Sequence, residues 1–420
     1  MPRETPKPTT TSPTTYARTA RNVPTMAITT AVVVGATQMW QAIFSLILRD
    51  LGASDLNISF TISIWASVGA VAQYFAGRLA DRIGRVPLIS VSMQVGGLAL
   101  IGAAFMPSWV PFAFIYTFWQ VANGVTGPVF SLITGESVPP RERGRAFGLI
   151  ESCIGLSLII GPLTGAKLLP SVGSKGLLII SGVLVVAAAT GRLLLLRETR
   201  PASTGSKPFA FRHIFEGRMG LVMTVVMLWN VVLAMTWWGP FISLHANDAM
   251  GLSKAAINTL FAVSALASAL MGLVAGRLVG RFGANRVFST GALGVGLVVL
   301  VWSFQHSLVW ITASFLLMSG FFMTAMVASD TFRVTAIDES VRGSALGSIG
   351  MVTGFATAAA TPVAGFLKQV SPLAPFVMAL AAAIGMVVAI AALTRHDART
   401  GFKGDAVQEE TPTVAAGTIT

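Results

Sequence analysis

Long apolar runs alternate with short polar connections along this chain. Twelve such runs lie near residues 26–48, 56–76, 87–106, 109–134, 146–169 and 173–196, then 219–244, 255–276, 287–305, 309–329, 345–367 and 373–394. A helix that crosses a bilayer needs about 20 mostly apolar residues, and runs of this length are too long for strands. The pattern therefore predicts an all-α membrane protein with twelve transmembrane helices. The first run is too long for a signal-peptide core and lacks a small-residue cleavage site, so it is read as the first span. Residues 1–25, rich in Pro and Thr, and residues 395–420, small and polar with Glu409 and Glu410, are expected to be disordered tails.

Composition supports the same reading. With 54% hydrophobic and 11% charged residues, the chain has too little polar surface to enclose a soluble core of this size. The net charge of +12 raises the question of nucleic acid, and the positions of the charges answer it. With both termini in the cytoplasm, only Arg49, Lys167, Lys175, Lys254 and Lys368 of the 29 Lys and Arg fall outside. That asymmetry is the positive-inside rule, so the basic balance reports topology and contact with lipid heads, not a nucleic-acid partner. The expected location is the plasma (inner) membrane. The one cysteine, Cys153, excludes an intrachain disulfide.

A constant offset of 199 relates the two halves. Gly77, Arg78, Leu79, Arg82 and Gly84 match Gly276, Arg277, Leu278, Arg281 and Gly283; Arg143, Gly144, Ala146, Gly148 and Gly155 match Arg342, Gly343, Ala345, Gly347 and Gly354. The chain thus reads as two six-helix halves in parallel repeat, residues 26–196 and 219–394, joined by a basic linker at 197–218.

The stretch GRLADRIGR, residues 77–85, resembles the loop motif between the second and third helices of the major facilitator superfamily. PPRERGRAFG at 139–148 and GLSLIIGPLTGA at 155–166 resemble that family's connection from helix 4 to helix 5 and its Gly-Pro motif in helix 5. The resemblance covers roughly residues 26–394. It implies the family's fold and a transporter that alternates access by rocking one half on the other. It also implies that Asp81 latches the first half against the second while the cytoplasmic side is closed. Around that latch it places Arg82, Arg85, Glu136 and Arg145 as a cytoplasmic charge network, while Gly77 and Gly84, lacking side chains, let the helix ends on either side of the turn approach a neighbour closely. The second copy has Gly280 where the first has Asp81, so the expected latch is asymmetric. Gly155, Gly161, Pro162 and Gly165 form a small-residue ridge with a bend, which serves close packing or, by the resemblance, export.

Charge inside the bilayer is informative, because an acid at a helix centre is unfavourable by about 2.5–3.5 kcal/mol. Glu151 lies six residues beyond Arg145, about 9 Å along a helix, and is the candidate for proton coupling, with a structural acid as the alternative. Asp330 and Arg333, three apart, are expected to form a local salt bridge. By the resemblance, helices 1, 4, 7 and 10 line the cavity. The polar and indole side chains there are Gln38, Gln41, Trp119, Gln120, Asn123, Asn230 and Trp237, a lining suited to a neutral or cationic amphipathic molecule. Helices 1, 4 and 7 carry no central Arg or Lys to clamp a phosphate or dicarboxylate.

The sequence therefore supports a transporter of a small organic solute, secondary active or facilitative, with export of an amphipathic compound ahead and proton coupling through Glu151 open. The alternatives are an uptake permease or uniporter for a small polar metabolite, and a sensor that keeps the fold without cycling. No nucleophile–base set or phosphate-binding glycine loop points to an enzyme, no cofactor is expected, and a monomer is the expected state.

Overall fold

The computed structural model describes residues 19–199, 216–336 and 342–400. The rest of the expected tails and most of the expected linker lie outside the described residues. The helices are α1 Asn22–Gln41, α2 Phe44–Asp50, α3 Asp55–Ile83, α4 Arg85–Ala103, α5 Trp109–Glu136, α6 Arg143–Leu195, α7 Gly217–Met235, α8 Phe241–Asp248, α9 Lys254–Phe282, α10 Ala284–Trp302, α11 Leu308–Ala336, α12 Arg342–Val370 and α13 Ala374–Thr400. Among the described residues, nine helices are long and apolar enough to cross a bilayer by themselves. One of these, α6, has 53 residues and breaks at Gly173, whose φ of 66° favours glycine. Its two arms run in opposite directions along α1. Ser157, Gly161 and Gly165 meet Ala31, Gly35 and Met39 in rising order, whereas Ser181 and Arg192 meet Ala36 and Thr29 in falling order. With that second arm, the α1–α2 pair bent by 51° and the 28-residue α5, the bundle has the twelve crossings that the apolar pattern predicts.

The offset of 199 reappears in the backbone. Helices α3 and α9 begin after Ser54 and Ser253, each of which accepts from the amide three residues on at 3.2 Å. They end at Gly84 and Gly283, with φ of 98° and 83°. Packing repeats as well: α3 lies on α12, and the α6 pair lies on α9. These two contacts join the halves, and they are equivalent under the repeat.

Helix ends differ from the sequence reading at several places: α3, α9 and α11 run on to Ile83, Phe282 and Ala336, beyond the expected 76, 276 and 329, so residues 77–83 of the expected loop form the last turns of α3. Helix α1 starts at Asn22, ahead of the predicted 26, because Asn22 Nδ2 donates to Ser137 Oγ at 3.0 Å and to the Arg197 carbonyl at 2.9 Å. Helix α13 continues to Thr400, past the predicted 394. Arg399 in its last turn complements the helix dipole, and Arg218 Nε reaches Asp397 at 2.7 Å.

The glycines of α6 differ sharply in surroundings. A Cβ added at Gly165 would lie 2.0 Å from the Met39 carbonyl oxygen, and one at Gly161 would lie 2.6 Å from that of Gly35, whereas one at Gly155 meets nothing within 4 Å. Gly165→Ala is therefore expected to force α1 from α6 and cost about 1–3 kcal/mol. Gly155→Ala should stay within about 0.5 kcal/mol. Thermal unfolding of both purified variants checks this; equal melting temperatures would refute the assignment.

Candidate functional site

At the end predicted to face outward, four charges close a ring. Arg49 pairs with Asp55 at 2.7 Å and with Asp248, and Lys368 pairs with Asp55 and lies 3.5 Å from Asp248. Arg49 and Asp55 come from the first half, Asp248 and Lys368 from the second, and signs alternate around the ring. A separate Lys254–Asp50 pair also crosses between halves. Around these charges the halves exchange side chain-to-backbone bonds. Ser243 Oγ donates to the Ala42 carbonyl, Asn258 Nδ2 to that of Met39 at 2.9 Å, and Ser63 Oγ to that of Ala358. The ring is half sheltered, and Lys368 is 9% exposed. Several cross-bonded partners give it more weight than one exposed pair, which is worth about 0–1 kcal/mol.

Sequence reasoning passed over this ring although a signal existed. Arg49 and Asp248 are 199 residues apart, as are Asp55 and Lys254, so equivalent positions of the repeat carry opposite charges.

At the opposite, predicted cytoplasmic end, the charge network among the described residues stays within the first half. Arg85 is buried, pairs with Glu136 and lies 3.7 Å from Asp81. Glu198, absent from the sequence-based set, accepts from the amides of Arg85 and Val86 at 3.1 Å each. Its carboxylate lies where a Cβ on Gly84 would fall, 2.8 Å away. The structure thus brings Asp81, Arg85 and Glu136 together at the Gly84 turn. Arg82 and Arg145 are exposed and form no ion pair among the described residues, and Gly77 has open space around it. Asp81 is 67% exposed and pairs only with Arg85 among the described residues.

Between the two ends, three helices carry polar residues opposite their exposed apolar faces. On α5 the exposed apolar side chains Phe114, Phe118 and Val121 share one face. At about 100° per residue, the exposed Asn123, Gly127 and Ser131 lie on roughly the opposite one. On the first arm of α6, Leu149, Leu156 and Ile160 face the bilayer and exposed Glu151 lies opposite. On α11, Trp310 and Leu317 face the bilayer and exposed Asp330 lies opposite. Glu151 belongs to the first half and Asp330 to the second, and the charge of Asp330 acts on Glu151 through space. The expected Asp330–Arg333 salt bridge does not form. Arg333 Nε is buried with no hydrogen-bond partner, and its charge reaches Asp330 only through space.

The other predicted cavity residues divide. Gln41 is exposed at the end of α1, while Gln38 is half-buried against Gly161. Gln120 is half-buried, its carbonyl beside Gly69 of α3. Trp119 is buried against Gly96 of α4. Asn230 is buried and donates at 2.8 Å to the Val226 carbonyl of its own helix. Trp237 is stacked on Phe322 and Phe315, with ring centroids 4.5 and 5.5 Å away. Pro162 is buried within α6, next in sequence to Gly161. Arg192, counted by sequence among the cytoplasmic charges, is 1% exposed and donates to Thr29 at 3.0 Å and Thr30 at 2.8 Å.

A bundle of twelve crossings in two repeated halves, locked at one end, defines a multi-pass membrane transporter. The Major Facilitator Superfamily model matches residues 26–245 and 226–419, and the chain belongs to that superfamily. Its similarity to the multidrug resistance protein MdtG of Klebsiella pneumoniae (strain 342) is 27% identity over 185 residues, 43% of this chain and 44% of the relative. The matches thus span less than half the length of the first such relatives. The class G tetracycline resistance protein of Vibrio anguillarum is 24% identical over 71% of this chain and 77% of its own. Among solved structures, the nucleoside transporter NupG superposes with a TM-score of 0.71 at 15% identity, covering 91% of this chain and 99% of its own. A bacterial homologue of the human lysosomal transporter Spinster, inward-facing and unoccupied, gives 0.68 at 13% identity, covering 92% and 96%.

Removing Lys368 leaves Asp55 and Asp248 sharing Arg49 alone, at a cost of about 1–2 kcal/mol to the closed end. In a Cys153→Ser protein carrying Ser243→Cys, now 6% exposed, Lys368→Gln should raise the rate of labelling by an impermeant thiol reagent about tenfold. An unchanged rate would show that the ring does not hold this end shut.

Proposed function

We propose that the protein exports neutral or cationic amphipathic compounds by alternating access, with Glu151 as the group that exchanges protons. The observation that carries the reading is the placement of two carboxylates, Glu151 and Asp330, one from each half, on helix faces turned away from the bilayer. Glu151, with no ion pair among the described residues, attracts a cation or a proton, and a cationic compound and a proton then compete for it. The polar stripe of Asn123 and Ser131 supplies donors and acceptors beside it. The resistance proteins among the relatives favour export over uptake.

In this reading the end carrying Arg85 faces the cytoplasm, as the positive-inside rule requires. The geometry is then that of a carrier closed outside, with Asp81 released from the second half. Asp81 engages again when the inner end closes, with Glu136 and Arg85 as its support. The plasma (inner) membrane is the location consistent with that orientation, and the unit is one chain.

The test is internal pH in proteoliposomes of the purified protein challenged with a panel of amphipathic cations. Wild type should move protons when a transported compound is added, and Glu151→Gln should reduce that movement at least about tenfold, the effect of removing a group that carries the coupled proton. Asp330→Asn should weaken it less, because the proton site remains. Solute flux without proton movement, equal in wild type and Glu151→Gln, would contradict the coupling.

A further inference from the structure

The second half holds a groove apart from the carboxylates of the proposed transport site. It encloses about 770 Å³ between α9, α10 and α11, and its walls are almost wholly apolar. Along α9 it runs from Phe282 to Ala267, fifteen residues or about 22 Å of helix. That exceeds one leaflet, half of a core about 30 Å thick. It opens sideways to the bilayer, since Phe282 and Leu317 on its wall are 48% and 54% exposed. Its floor includes Gly291 and Gly320.

The charged end of this groove is where the repeated loop lost its acid. Arg286 lines the groove one turn into α10, and Arg281 lies over the Phe282 ring at 5.3 Å. Neither has an ion pair among the described residues, whereas the first copy's Arg85 is held by Glu136 and Asp81. Gly280, at the position equivalent to Asp81, leaves these guanidinium groups free for an outside anion. The equivalents of Arg286, Gly291 and Gly320 in the first half are Pro87, Ser92 and Val121. Basic charge and free volume therefore coincide in the second half.

We propose that this groove seats an anionic phospholipid, its phosphate on Arg286 and Arg281 and one acyl chain along α9 between Phe282 and Leu317. A guanidinium at the interface draws an anionic headgroup, and a lined slot below it takes the chain in place of loosely packed lipid. The missing acid of the second loop is then the feature that opens the site, since an aspartate at position 280 would repel the phosphate.

Native mass spectrometry of the full chain in mild detergent, titrated with phosphatidylglycerol or phosphatidylcholine of equal chain length, tests this. Wild type should retain phosphatidylglycerol in preference. Arg286→Gln should weaken it about fivefold, the weight of one basic residue near a membrane surface, and Arg286→Lys should keep most of the binding. Gly320→Leu should fill the slot and displace the lipid; its Cβ is accommodated, meeting only the Met271 methyl carbon at 3.5 Å. Equal melting temperatures of the variants exclude misfolding as the cause of lost binding. Equal retention of the two lipids by wild type, or retention indifferent to both Arg286→Gln and Gly320→Leu, would overturn the proposal. So would an uncharged amphipathic compound holding the groove against phosphatidylglycerol.

Discussion

Two halves related by a repeat face each other across the charged end of the bundle, and there Arg49 meets its own counterpart, Asp248. Like charges there would repel, and the structure depends on their inversion. Arg49 of the first half meets Asp248, its equivalent in the second, and Asp55 has Lys254 as its equivalent. Closing the set with Lys368 produces an alternating ring in which each acid touches two bases and each base two acids. Such a ring is neutral as a whole, so it shields its charges from one another at little cost in repulsion, and it binds only when the two halves come together.

The ring sets what the rest of the bundle must do. The α3–α12 and α6–α9 contacts are, in the proposed alternating-access cycle, the surfaces about which the halves would turn. They are furnished with small residues: Gly354 lies against Ala70 and Gly365 against Ser59. Within the first half, Gly161 and Gly165 bring the backbone of α6 against that of α1, so the half moves as one body. At the far end the only acid of the repeated loop, Asp81, is exposed and held loosely by Arg85. In the proposed orientation, the strong contact at one end and the loose one at the other correspond to a carrier resting closed outside. The acids Glu151 and Asp330 sit on the faces that such a state opens.

The apolar pattern made the twelve crossings and the repeat legible, because long apolar helices and glycine turns leave identities in register. Gly84 and Gly283 share a positive φ, and Ser54 and Ser253 share a cap. The ring escaped the same comparison because matching by identity is blind to positions that kept their place and reversed their charge. The cavity was legible only by residue type. Trp119, Asn230 and Trp237 carry the polar groups expected of a lining, yet packing decides otherwise: Trp119 fits against Gly96, Asn230 satisfies its own helix and Trp237 enters an aromatic stack. Spacing alone says that Arg333 is within reach of Asp330, yet the half-buried arginine forms no ion pair with it and its Nε is buried without a partner. Glu198 lies in sequence beyond the last predicted crossing of its half, where nothing marks it as the cap of α4.

The central claim is that the outer charge ring and the inner opening are two sides of one rigid-body equilibrium. It is tested most directly by distances between spin labels on the two halves, measured at both ends of the bundle in wild type and in Asp55→Asn/Asp248→Asn. The account predicts that neutralising the two acids lengthens the outer distances and shortens the inner ones in the same population of molecules. Lengthening at the outer end with inner distances unchanged would contradict it, because the ring would then be a local clasp that does not govern the inner end.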